Sequence, residues 1–112
     1  GFAEQAEIFD MVSDHLGAAP PVADTDDILR DPRGTLTRLC NACGIGFDEA
    51  MLSWPAGPKP FDGVWAPHWY NAVWASTGFA APPVQAPALP SALQRIADEA
   101  RPFYERLRDY KL

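Results

Sequence analysis

Two short stretches hold the residue types that do chemistry. In Leu39-Cys40-Asn41-Ala42-Cys43-Gly44, two thiols stand at the C-x-x-C spacing that suits a metal ion or a redox pair. In Trp65-Ala66-Pro67-His68-Trp69-Tyr70-Asn71-Ala72-Val73-Trp74, three of the four tryptophans surround a histidine. An indole face stacks on a flat ring, and an imidazole takes a proton from a hydroxyl near neutral pH. Trp65, His68 and Trp69 are therefore candidates for the wall of a nucleotide or acceptor pocket, with His68 as general base. Lys59 is a candidate phosphate contact just upstream. The competing reading has Trp65, Trp69, Val73 and Trp74 filling a core, with their N–H groups bonded to nearby carbonyls. No carboxylate partner for His68 is evident in the sequence.

The thiol pair is the weaker signal. A tetrahedral metal site needs four ligands, and Cys40 and Cys43 are the only cysteines. His15 and His68 lie far away at no recognised spacing, and no βαβ pattern surrounds the pair, so no metal site is expected. Leu36, Leu39, Cys40 and Cys43 instead share one apolar helical face. Asp31 caps that helix, Pro32 occupies its first turn and Gly44 stops it.

The elements that must position these residues are mostly helices. A first one is predicted from about Ala3 to Leu16, with Phe2, Ala6, Phe9, Val12 and Leu16 on one stripe. Pro20 to Ala23 reads as a short extended piece. Asp24 to Asp27 caps a brief helix through Ile28 and Leu29, and the cysteine helix and a short helix beginning at Phe47-Asp48 complete an N-terminal region, residues 1–54. A Pro- and Gly-rich loop covers 55–66, an aromatic helix 67–78 and an extended, partly polyproline strap 79–90. Residues 91–112 form a C-terminal helix capped by Ser91, with Leu93, Ile96, Ala100, Phe103, Leu107 and Tyr110 at alternating steps of three and four. Pro102 is expected to kink or split it. The fold class is mainly α: an irregular helical assembly with long Pro-rich loops and at most one short strand, forming a single domain or part of one.

Charge narrows the function. Nine basic against fifteen acidic residues give a net charge of −6, the reverse of the balance that phosphate backbones select, so nucleic acid is not an expected partner. No apolar run approaches the roughly 20 residues that span a bilayer. The start, Gly1-Phe2-Ala3-Glu4, lacks the features of a signal peptide, which leaves the cytoplasm as the expected setting.

Three stretches together resemble a known family: "PPVADTDDILRDPRGTLTRLCNACGIGFDEAMLSWPAG", "DGVWAPHWYNAVWASTGF" and "LPSALQRIADEARPFYERLRDYKL". They are similar to the C-terminal part of bacterial sulfotransferase-like proteins of the P-loop nucleotide-binding superfamily. The resemblance implies 3′-phosphoadenosine 5′-phosphosulfate as sulfuryl donor for the full-length family. It also implies a Gly-rich phosphosulfate loop near the N-terminus, and these 112 residues contain no such loop: Gly44-Ile45-Gly46 lacks the following Lys-Ser/Thr. Arg30-Asp31-Pro32-Arg33 is similar to the family's 3′-phosphate motif. The acidic turn before it, and Arg38 where the phosphate-binding Ser would stand, favour a later "DP" segment, with Arg33 and Arg38 on a helix surface.

The resulting expectation is a sulfotransferase-like C-terminal module that is catalytically incomplete and uses no cofactor alone, its partner being a P-loop portion. The alternative is a stand-alone helical protein that self-associates through its apolar stripes into a homo-oligomer, without enzymatic activity.

Overall fold

A computed structural model describes residues 1–82 and 88–112. Helix α1 (Phe2–Leu16) ends at Gly17, and α2 (Thr25–Arg30) and α3 (Pro32–Ala42) follow. Their starts are set by short acidic side chains. Asp24 accepts the N–H of Asp26 at 2.9 Å, and Asp31 accepts that of Gly34 at 3.0 Å with Pro32 inside the first turn. Gly44, at φ 70°, ends α3 in the left-handed conformation that a Cβ disfavours. Asp48 caps a 3₁₀ turn (Glu49–Met51) through the N–H of Ala50. Two short helices, α4 (Ala66–Trp69) and α5 (Asn71–Ala75), precede the long α6 (Ser91–Arg108).

Among the described residues there is no strand, only isolated bridges from Val22 to Lys111 and from Ser53 to Gly78. The mainly helical, irregular assembly expected from the sequence is what the chain forms.

Three corrections concern the elements. The aromatic helix expected over 67–78 is two pieces that part at Tyr70 and stop at Ser76, whose ψ of 154° is extended. Pro102 leaves α6 unbroken. Its ring fixes a helical φ, and the bond it forfeits, to the Asp98 carbonyl, lies on an exposed face that water reaches. Pro90, not Ser91, holds the cap position of α6, and no side chain caps it. Of the strap expected over 79–90, residues 83–87 lie outside the described residues.

The core is small. Ala6, Phe9, Cys40 and Ala66 are the buried apolar residues among those described, with Thr35 the buried polar one. Phe9 fastens α1 to the chain end by meeting the Tyr110 ring at 4.7 Å between centroids, beside an Asp10–Arg106 ion pair. The expected stripe on α1 is only partly used, since Phe2 and Leu16 are exposed. The cysteine face is likewise split: Cys40 is buried near Met51, while Cys43 is exposed. The radius of gyration, 16.7 Å, exceeds the roughly 13 Å of a compact domain near this length. Secondary structure has formed, and the faces it presents are largely uncovered.

Candidate functional site

The segment from Ser53 to Phe79 is stapled by hydrogen bonds. At its root the Trp54 N–H donates to the Thr77 carbonyl at 3.0 Å and its indole N–H to Ser76 Oγ at 2.9 Å. The Trp54 ring meets Phe79 edge-on at 5.4 Å. One turn further out, the Gly57 N–H donates to the Trp74 carbonyl at 2.7 Å. That bond depends on a φ of 96° at Gly57, a conformation side chains resist. Asp62 closes the outer turn, one carboxylate oxygen accepting the Lys59 backbone N–H at 2.7 Å and the Trp74 indole N–H at 2.8 Å. The bond from the Lys59 backbone, then that from Trp74, holds the Asp62 carboxyl below its usual range. These bonds also explain the break at Tyr70: α5 turns so that Trp74 meets Asp62 with its side chain and Gly57 with its carbonyl.

The staple presents the candidates outwards. Trp65 is 56% exposed and Trp69 77%, and His68 is exposed beside them on α4. The expected core of Trp65, Trp69, Val73 and Trp74 does not form. Val73 is also exposed, and Trp74 is half-buried on its hydrogen bond. For Trp74 the indole partner expected to be a carbonyl is a side-chain oxygen, Asp62 Oδ2. Gly63 lets the Trp65 indole lie against the backbone, since a Cβ there would collide with the ring. Lys59 folds back along its own loop, its Nζ donating to the Pro55 carbonyl at 2.5 Å in an exposed bond. The candidate aromatics and the imidazole are thus each open to solvent, and the lysine is bonded within its own loop.

The phosphosulfate end of the donor that the family implies does not fit these residues. Gly44 and Ile45 follow the C-terminal end of α3, where the helix dipole is negative. Their N–H groups already donate to the Asn41 and Cys40 carbonyls at 3.1 and 2.9 Å. Most cations are paired. Arg33 forks onto Glu49, which raises its pKa further, Arg30 meets Asp27 at 2.7 Å and Arg95 meets Glu99 at 2.9 Å. Arg33 and Arg38 are exposed on α3, as expected. No group of three or more His, Cys, Asp or Glu that could hold a metal ion occurs among the described residues.

A second polar cluster was hidden from sequence reasoning. Asp24 accepts the Tyr104 hydroxyl at 2.7 Å and the Lys111 ammonium at 3.4 Å, and Lys111 also meets Asp27 at 2.5 Å. The Tyr104 bond is the largest influence lowering the Asp24 pKa, while Asp27 leads in raising that of Lys111. The Leu112 N–H donates to the Val22 carbonyl at 3.1 Å beside them. The cluster borders a cleft of about 530 Å³ shared with Phe2, Gln5 and Leu107. Its charges satisfy one another, so it ties the chain end to α2. Only the cap signal at Asp24 pointed to it; the partner 80 positions away had no local signature.

With this geometry in hand, comparison with known proteins places the chain. Residues 1–110 match the family described as "Sulfotransferase domain". Branched-chain-amino-acid aminotransferase-like protein 1 of Arabidopsis thaliana is 41% identical over 106 residues, covering 93% of this chain and 19% of the relative. Branched-chain-amino-acid aminotransferase-like protein 2 of the same plant is 38% identical over 104 residues, covering 91% and 19%. The chain thus spans about a fifth of the length of these relatives. No solved structure matches it significantly. No helix among the described residues is long and apolar enough to cross a membrane.

Proposed function

The chain belongs to the sulfotransferase domain family, and on that premise we propose that it is the C-terminal module of a sulfotransferase-like unit of the P-loop superfamily. It supplies the acceptor-side face and needs a nucleotide-binding portion to work. The observation that carries this reading is the mismatch between a family built on an anionic donor and a segment whose loop amides and most cations are already engaged. The uncovered apolar faces support the same conclusion, because a module designed to be covered leaves them bare when alone. The source need not be bacterial, since both relatives above are plant proteins.

Within the completed unit, Trp65 and Trp69 offer aromatic planes to a flat ring, and His68 is the candidate base for an acceptor hydroxyl. The donor itself, 3′-phosphoadenosine 5′-phosphosulfate, is held by the other portion. Purified 112-residue chain incubated with that donor should release 3′-phosphoadenosine 5′-phosphate no faster than its His68→Ala variant. Faster release by the unaltered chain would refute the assignment.

One observation favours a second reading, self-association into a homo-oligomer. Leu93 and Ile96 are exposed on α6, the helix whose seam suits a partner helix. Sedimentation across a range of concentrations decides it, and a strictly monomeric species removes it.

A further inference from the structure

Cys40 and Cys43 are both free thiols, and the functional reading above uses neither. They straddle the end of α3, three positions apart, with Cys40 5% exposed and Cys43 open to solvent at the cap position. Regular helix geometry sets Cα atoms three apart at about 5 Å, inside the roughly 4.4 to 6.8 Å that a disulfide accepts. The Cβ atoms of such a pair stand about 5 to 6 Å apart, against about 3.8 Å in a disulfide. Joining the sulfurs therefore makes the end of α3 give by about 1 to 2 Å. It can give there, because Cys43 lies just past the last helical residue and Gly44, at φ 70°, follows it. The bonds that yield are those from the Cys43, Gly44 and Ile45 N–H groups to the Leu39, Asn41 and Cys40 carbonyls.

The pair also sits on a joint. Cys40 Sγ lies 3.8 Å from Met51 Sδ, so its side chain connects α3 to the 3₁₀ turn Glu49–Met51. The Arg33–Glu49 ion pair links the same two elements, but it is exposed, where such a pair holds little. A Cys40 sulfur turned toward Cys43 leaves Met51.

We propose that Cys40 and Cys43 form a peroxide-sensitive dithiol switch, whose oxidation to an intramolecular disulfide frees the Glu49–Met51 turn from α3. Exposure assigns the order of events. The Cys43 sulfur meets the oxidant and attacks one peroxide oxygen; the O–O bond breaks, an S–OH group forms and water leaves. The Cys40 sulfur then attacks the Cys43 sulfur. The S–S bond forms, the S–O bond breaks, and hydroxide departs with the Cys40 proton as a second water. The two electrons given up by the thiols are those that reduce the peroxide. A dithiol reductant reverses the change by thiol–disulfide exchange. The switch does not depend on the sulfotransferase assignment.

The 112-residue chain is treated with hydrogen peroxide, then unfolded and alkylated with iodoacetamide. It should present no alkylatable thiol and should have lost two hydrogens in mass. Trypsin, cutting after Arg38, leaves both cysteines in one peptide, so the loss of two hydrogens there marks a disulfide within one chain. Cys43→Ser should keep Cys40 alkylatable after the same treatment, and Cys40→Ser should stop Cys43 at the sulfenic acid, which dimedone traps. Two intact thiols in the unaltered chain, dimedone capture with no disulfide, or a disulfide between two chains each overturn the proposal. Hydrogen exchange of the Met51 and Leu52 N–H groups, which donate to the Asp48 and Glu49 carbonyls at 3.0 Å, reads the release of the turn. Both should exchange at least about fivefold faster in the disulfide form and return to their first rates with dithiothreitol. Molecules oxidised at methionine carry an added oxygen and are set apart by mass. Unchanged exchange in the disulfide form also overturns the proposal.

Discussion

Replacing Phe9 with alanine should do more damage than any other single truncation on α1. Phe9 is 8% exposed and meets the Tyr110 ring at a tilt of 51°, whereas its neighbour Ile8 is 56% exposed. Removing a buried phenyl ring loses its transfer free energy and leaves a partly filled cavity, together about 3 kcal/mol. The contact with Tyr110 accounts for about 1 kcal/mol of that. Ile8→Ala should change stability by no more than about 0.5 kcal/mol. Urea unfolding followed by circular dichroism gives both values. A double-mutant cycle with Tyr110→Ala should return a coupling near 1 kcal/mol. For a chain with so small a core, a loss of about 3 kcal/mol removes much of its stability, and α1 should detach from α6. The reasoning fails if Phe9→Ala and Ile8→Ala are equally mild, or if Phe9 and Tyr110 prove uncoupled.

Other outcomes follow from the loop and from the junction at the chain end. Asp62, with its carboxyl held below the usual range, stabilises the loop above about pH 4, and this is lost as pH falls through its lower folded value. Tryptophan fluorescence should show that acid transition, and Asp62→Ala should abolish it. Gly57→Ala forces a side chain into φ 96° and should lower stability by about 1 to 2 kcal/mol, with faster hydrogen exchange at the Gly57 amide. Tyr104→Phe removes the bond to Asp24 and should cost about 1 kcal/mol in urea unfolding at neutral pH. The raised Tyr104 pKa means that this contribution is complete below about pH 10 and fades as pH climbs through the folded value. The lowered Asp24 pKa removes it again in acid.

What could be read from the sequence was what neighbouring residues decide. Asp24, Asp31 and Asp48 each cap the element expected after them, and Gly44 stops α3, because these are contests among backbone groups a few positions apart. The pairing of charges along α6 is also local, as in Arg95 with Glu99 and Arg101 with Asp98. Burial was harder to read, because a stripe records what a helix can cover and not what covers it. Trp65 and Trp69 have the composition of a core and stand in the open. The break at Tyr70 depends on Asp62 reaching Trp74 across the loop. The tie from Asp24 to Tyr104 and Lys111 depends on where the chain end returns, which no local pattern states. Of the candidate residues, Trp65, His68 and Trp69 are each exposed at the start of α4 or on it, while the Lys59 ammonium bonds to the Pro55 carbonyl of its own loop.

The central claim is that this module does not hold the phosphosulfate donor alone. Calorimetric titration of the 112-residue chain with 3′-phosphoadenosine 5′-phosphate, the desulfated donor, tests it directly. The account predicts no saturable binding at ligand concentrations up to about 1 mM, which corresponds to less than about 4 kcal/mol of binding free energy. Stoichiometric binding in the micromolar range, lost in the Lys59→Ala variant, would contradict it.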